Sequence, residues 1–257
     1  NGTAPGIIIE DEDTCIILLP GPPDELVPMF EEHVYPYLHS LQPEIICSKM
    51  VKLCGIGESA AETKILDLIE GQQNPTVAPY AKIGEVHLRI TAKAESEAAA
   101  YGLIGPMEEE LKRRFGSLIY TDDPQVTLEM AIAGLLKEHR LTVTTAESCT
   151  GGLLAGRLIN VPGISAYFKE GYITYSNEAK EKILGVAPKT LEAYGAVSAE
   201  TAEEMAQGAA QAAGADLGVA VTGIAGPDGG TEEKPIGLVY ISCYCRGRCH
   251  TQRNQYT

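Results

Sequence analysis

Polar and apolar residues alternate strictly through Val86-His87-Leu88-Arg89-Ile90-Thr91, which predicts a strand with one face buried. Elsewhere the period lengthens to that of a helix. Leu128, Ile132, Leu135 and Leu136 share one helical face. Leu103, Ile104, Met107, Leu111 and Phe115 share another, where Gly105-Pro106 is expected to break or kink the helix. Ser59 and Glu62 have the spacing of a capping box ahead of Ile65, Leu66, Leu68 and Ile69, with Gly71 closing that helix. Near the start, the run Cys15-Ile16-Ile17-Leu18-Leu19 reads as a strand stopped by Pro20-Gly21-Pro22-Pro23. A helix is expected from Asp24 to Pro36 or Tyr37.

After residue 122 short elements alternate. Leu141-Thr142-Val143 favours a strand, and Leu153 to Ile159 a helix. Tyr172-Ile173-Thr174-Tyr175 is a further strand, and Ser176-Asn177 caps the helix after it. Ser198 caps a helix rich in Ala and Glu, and Leu217-Gly218-Val219-Ala220-Val221 is a strand of buried type. A last strand is expected over residues 236–242. Such alternation argues for an α/β sheet layered with helices. Asp122-Asp123-Pro124 marks a boundary, so three blocks are expected at 1–42, 43–121 and 122–257, the second a compact α+β unit.

Composition narrows the function classes. The formal charge of −15 opposes any broad electrostatic footprint on nucleic acid or anionic membrane. Apolar runs such as Ile16-Ile17-Leu18-Leu19 are too short to span a bilayer, and no basic segment followed by an apolar one opens the chain. The beginning, Asn1-Gly2-Thr3, has no initiator Met and reads as the middle of a longer protein. Seven cysteines without a pair of C-x-x-C motifs disfavour a zinc ribbon and fit a reducing, cytoplasmic location. In the one cluster, Cys243, Cys245 and Cys249, a metal pair is conceivable, but a small buried hydrophobe at Cys243 is the plainer reading.

The richest chemistry lies in Thr144-Thr145-Ala146-Glu147-Ser148-Cys149-Thr150-Gly151-Gly152, which reads as a strand, a glycine turn and the first turn of a helix. A hydroxyl there sits beside backbone N–H groups suited to a developing oxyanion or a phosphate. The plain alternative is an N-cap. Gly223-Ile224-Ala225-Gly226-Pro227-Asp228-Gly229-Gly230 follows a second apolar strand. It is either a surface loop or a backbone cradle at the same sheet edge. A serine nucleophile needs a base, and the five histidines form no evident Ser–His–Asp arrangement. Lys180, on the equivalent loop Thr174-Tyr175-Ser176-Asn177-Glu178-Ala179-Lys180, can serve if burial lowers its pKa; otherwise it is a solvated lysine. Tyr175 could relay a proton, orient that lysine, or pack in the core.

These motifs, with Gly195-Ala196-Val197-Ser198, resemble the carboxy-terminal domain of the CinA (competence/damage-inducible protein A) family. That domain also occurs alone as bacterial nicotinamide-nucleotide amidase. Residues 43–121 resemble the family's KH-like middle domain. Asn1-Gly2-Thr3-Ala4-Pro5-Gly6 and Leu19-Pro20-Gly21-Pro22-Pro23-Asp24-Glu25 resemble the tail of its molybdopterin-binding-like domain. The resemblance therefore implies an α/β chain: a layered α/β/α domain, preceded by a small α+β KH-like domain and a remnant of a third. It implies hydrolysis of nicotinamide mononucleotide to nicotinic acid mononucleotide and ammonia, with no cofactor and no metal. Ser148 is then the nucleophile, Lys180 its general base and Tyr175 an assistant. The N–H groups of Cys149, Thr150, Gly151 and Gly152 are inferred to form the oxyanion hole. Thr222, Gly223, Gly226 and Asp228 would line the mononucleotide site.

A homodimer or larger assembly is implied, with no direct nucleic acid and no membrane partner. The family's amino-terminal domain is almost wholly absent, so its ADP-ribose pyrophosphatase activity is expected to be missing. The arginine-bearing segment expected beyond Gln255-Tyr256-Thr257 is absent as well. Two alternatives stay open. One is a non-catalytic interaction module, disfavoured as a nucleic-acid binder because Gly55-Ile56-Gly57 is not a basic G-x-x-G loop. The other makes Cys149 the nucleophile, its thiol activated by the helix terminus.

Overall fold

The computed structural model describes residues 4–12, 14–42 and 44–256, in two compact units, 1–125 and 126–257. The expected motif residues Asn1, Gly2, Thr3 and Thr257 lie outside the described residues. The first two blocks expected from the sequence fall together in the first unit.

In the first unit β1 (Ile7–Asp11) pairs antiparallel with β2 (Thr14–Leu18). The sequence reading found β2 and missed β1. The helix that follows was expected to stop by Tyr37. Instead α1 (Pro23–Met29) passes through a π segment, Phe30–Val34, into α2 (Tyr35–Leu41). The π segment restarts the hydrogen-bond ladder, so Pro36 falls in a first turn, where its missing N–H leaves no partner unsatisfied.

A four-stranded antiparallel sheet follows, in the order β4-β5-β3-β6. It comprises β3 (Ile45–Cys54), β4 (Thr76–Lys82), β5 (Glu85–Ala94) and β6 (Ile119–Thr121). The alternation read at 86–91 is realised in β5, whose Val86, Leu88, Ile90 and Ala92 are buried. The capping box is not formed: α3 (Glu58–Lys64) already starts after Gly57, so Ser59 lies inside the helix. Ile65 interrupts it before α4 (Leu66–Glu70). Nor does Gly105-Pro106 break α5 (Glu97–Phe115). Ala100, Ile104, Leu111 and Phe115 bury its inner face in the core with Val51, Leu53 and Leu88, and tertiary packing outweighs the lost N–H. Leu103 is exposed, and Glu108 takes an inward position instead, paired with Lys49 at 2.8 Å.

The second unit is a five-stranded sheet between two layers of helices, order β11-β10-β9-β7-β8. In chain order its elements are α6 (Leu128–His139), β7 (Val143–Glu147), α7 (Leu153–Ile159), β8 (Phe168–Ile173), α8 (Asn177–Leu184), α9 (Pro188–Tyr194), α10 (Ala199–Ala213), β9 (Leu217–Gly223), β10 (Leu238–Cys245) and β11 (Arg248–Gln255). β8, β7 and β9 run parallel, while β10 and β11 are antiparallel additions. Alternate residues of β7 serve the two faces. Ala146 joins Leu184, Met205, Ala206 and Ala209 under α8 and α10, and Val143 joins Leu136, Val161 and Ile164 on the other side. Small residues on the inner face of α10 let it lie close: a Cβ at Gly208 would collide with the carbonyl of Leu184.

Candidate active site

Because β7 lies between two parallel neighbours, three carboxyl ends meet at one sheet edge, where ligands of open α/β sheets gather. Glu147 is in register with Ile173 of β8 and Val221 of β9. Ser148, the next residue, donates its N–H to Val221 O at 2.9 Å, while Thr174 N donates to Glu147 O at 2.9 Å. The serine is thus fixed from both sides and is 8% exposed.

The helix occupies Leu153–Ile159, as the sequence predicts. β7 ends at Glu147, a turn runs over 148–152, and α7 follows from Leu153. Gly152 has φ +101°, a conformation that disfavours any side chain, and Ile173 lies 3.0 Å from where a Cβ would sit. Two of the four amides expected for an oxyanion hole are engaged. Gly151 N donates to Ser148 O at 3.2 Å and Gly152 N to the carboxylate of Glu147 at 3.0 Å. Among the described residues the N–H groups of Cys149 and Thr150 donate to no oxygen, and these two remain.

Lys180 is the largest fully buried side chain of the protein, with no exposed surface. Ser176 caps α8 by accepting from Ala179 N at 3.1 Å and so fixes the turn that aims the lysine inward. Nζ donates to Thr174 O at 2.8 Å and Tyr175 O at 3.0 Å, and lies 3.1 Å from Ser148 Oγ. Among the described residues no carboxylate pairs with it, and burial pushes its pKa down from the usual 10.5. A neutral amine suits this environment: its two N–H bonds meet two carbonyls, and its lone pair faces the serine hydroxyl.

Three other expectations change. Tyr175 contributes its main-chain carbonyl, while its ring is 76% exposed and the phenol makes no hydrogen bond among the described residues. β8 ends at Ile173, so both Thr174 and Tyr175 belong to the connection, which frees their carbonyls for the lysine. The surroundings of Cys149 work against an activated thiol. Burial and the Glu147 carboxylate push its pKa up, and the nearby amides and Lys180 do not reverse this.

In the second glycine-rich loop, Thr222 is buried and donates its hydroxyl to Ala196 O at 2.7 Å, tying β9 to the segment before α10. Gly223 and Gly226 are required by packing: a Cβ on either would meet Val239 or Ile236, respectively, at 2.7 Å. Asp228 is exposed and makes no hydrogen bond or ion pair among the described residues. The structure therefore joins Ser148, Lys180 and the Tyr175 backbone, and places Thr222 at the adjacent strand end.

Sequence reasoning missed the side chain of Glu147. It is 1% exposed and accepts from Gly152 N and Leu154 N at 3.0 Å and from Ala155 N at 2.9 Å. The available signal was an acid directly before a glycine turn and a helix start. Among the described residues no group of three or more His, Cys, Asp or Glu is placed to hold a metal ion, and Cys243 is half-buried. No helix among them is long and apolar enough to cross a membrane.

An α/β chain whose layered second unit holds a buried lysine against a serine at a parallel-sheet edge defines a protein class with a ready-made amine–hydroxyl pair. Comparison with known proteins specifies it. Residues 125–257 match the family model of the CinA C-terminal domain, and residues 48–121 match that of the damage-inducible protein CinA KH domain. The chain belongs to the CinA family. It is 55% identical over 253 residues to a Clostridium acetobutylicum protein named "Putative competence-damage inducible protein", covering 98% of this chain and 61% of that one. A CinA-like protein of Kosmotoga olearia is 52% identical over 254 residues, with 99% and 61% covered. The chain thus spans about three fifths of the length of these curated relatives. Among solved structures, competence/damage inducible protein CihA from Agrobacterium tumefaciens is 46% identical with a TM-score of 0.50. That match covers 51% of this chain and 79% of that one.

Proposed function

We propose that the chain is an amidohydrolase that converts nicotinamide mononucleotide to nicotinic acid mononucleotide and ammonia, in pyridine-nucleotide recycling. The observation that carries this reading is the buried Lys180 amine 3.1 Å from Ser148 Oγ, with no carboxylate among the described residues to hold its proton. Ser148 Oγ attacks the carboxamide carbon and gives its proton to Nζ of Lys180. The oxygen that becomes negative is met by the N–H groups of Cys149 and Thr150. The tetrahedral adduct collapses: the C–N bond breaks, the ammonium of Lys180 returns the proton to the departing nitrogen, and ammonia leaves an ester on Ser148. Water then attacks the ester carbon, losing a proton to the neutral lysine. Cleavage of the C–Oγ bond, with that proton returned to Oγ, regenerates the serine.

Thr174 and Tyr175 assist through their carbonyls, which hold the amine in line with Oγ. Thr222, Gly223, Gly226 and Asp228 are proposed to border the mononucleotide, on the strand beside the nucleophile. A cytoplasmic location and a homodimeric or larger assembly complete the proposal. The test is ammonia release from nicotinamide mononucleotide by the wild type and by Ser148→Ala. Turnover lost in the variant supports the reading. Turnover unchanged in the variant refutes it, and absence of turnover in both favours a binding role for this family member.

A further inference from the structure

Glu147 is a buried carboxylate that the reaction above does not use. Removing a carboxylate from water is costly, and among the described residues no cation is paired with it. Three charge-assisted bonds from backbone N–H groups offset the cost. A helix of seven residues is ordinarily capped by one short side chain at its N-cap, but Gly152 stands there without one, at φ +101°. What distinguishes Glu147 is where its two ends are tied. Its backbone is locked in the ladder between β8 and β9, with its carbonyl held by Thr174 N. Its side chain grips the far end of the turn at Gly152, Leu154 and Ala155. Ser148, Cys149 and Thr150 are the span between.

We infer that Glu147 is a positioning residue: its backbone anchors the start of the 148–152 turn and its carboxylate the far end, and together they aim Ser148 and the amides of Cys149 and Thr150. The clamp has a second consequence. By occupying the amides of Gly152, Leu154 and Ala155, it leaves the Cys149 and Thr150 N–H groups as the ones available to an oxyanion. The inference rests on the reading of Ser148 as nucleophile, but not on the identity of the substrate.

Glu147→Gln tests it at nearly constant shape. Whichever way the amide turns, its NH₂ group faces a backbone N–H, so one anchor of the clamp becomes a repulsion. Two readouts are needed. The first is the rate constant for labelling of Ser148 by a fluorophosphonate, whose phosphoryl oxygen occupies the oxyanion position without involving nicotinamide mononucleotide. The second is kcat and KM for ammonia release. The variant is expected to label at least ~10-fold more slowly and to lose about 100-fold in kcat with KM within about 3-fold, as for a disturbed oxyanion hole. An unfolded fraction that does not refold during the assay lowers the amplitude of labelling and leaves its rate constant unchanged. Should Glu147→Gln fail to fold, Glu147→Asp, which keeps the charge one methylene short, is expected to show an intermediate loss.

Wild-type labelling and kcat in the variant, with only the unfolding midpoint lowered, would make Glu147 a mere helix cap and overturn the inference. A wild-type chain that is labelled but releases no ammonia would remove the substrate assignment, and the labelling rates would still decide the role of Glu147. A wild-type chain that is not labelled at Ser148 removes the nucleophile and this inference with it.

Discussion

Lys180→Arg probes the lysine most sharply when combined with a pH profile. The guanidinium keeps the positive charge and the hydrogen-bond donors but does not lose its proton in the working range. In the wild type, burial disfavours the ammonium, and each unit by which the pKa falls corresponds to about 1.4 kcal/mol of differential destabilisation. Two carbonyl acceptors oppose the shift only in part, because they are also satisfied by the two N–H bonds of a neutral amine. The expected profile of kcat/KM for ammonia release therefore rises with pH through a midpoint well below 10.5. General-base catalysis is worth about 10² to 10⁴ in rate, or about 3 to 5 kcal/mol, and Lys180→Arg should lose that much and show no rising limb. The shift also makes stability depend on pH. The folded state binds fewer protons than the unfolded one between the lowered pKa and 10.5, so the cost of burying Lys180 is full below that window and fades as pH rises through it. A rising limb centred near 10.5, or an arginine variant as active as the wild type, would refute the reasoning.

Two further predictions come from neighbouring geometry. Cys149→Ala should keep kcat within about 3-fold, since the thiol is pushed toward its neutral form and the backbone N–H is untouched; loss of turnover would revive the thiol as nucleophile. Gly208→Ala should destabilise the second unit by about 3 kcal/mol or prevent its folding, because the added methyl meets the Leu184 carbonyl across the α8–α10 contact; urea unfolding at wild-type stability would contradict that packing.

Features written into local chemistry were readable in the chain. Ser176 and Ser198 are N-caps in the structure because their hydroxyls compete well for the orphan amides three residues on. The alternation at β5 survives because a one-residue slip would turn Leu88 and Ile90 to solvent. Local signals misled in two places. Gly105-Pro106 does not break α5, which the core of the first unit holds, and Ser59 is passed over because the helix starts at Glu58. At the candidate site, the sequence placed Ser148 and Lys180 on neighbouring loops. Their meeting depends on the parallel register of β7 and β8, which spacing does not encode. The backbone carbonyl of Tyr175 and the inward carboxylate of Glu147 were invisible for a related reason. One is a main-chain group, common to every residue, and the other acts through a side chain whose direction only the strand parity fixes.

The most direct test of the account is ammonia release from nicotinamide mononucleotide by the wild type beside Ser148→Ala. The account predicts steady release by the wild type and less than about a thousandth of that rate in the variant, the scale of losing a nucleophile that acts with its base. Equal release by both would contradict it.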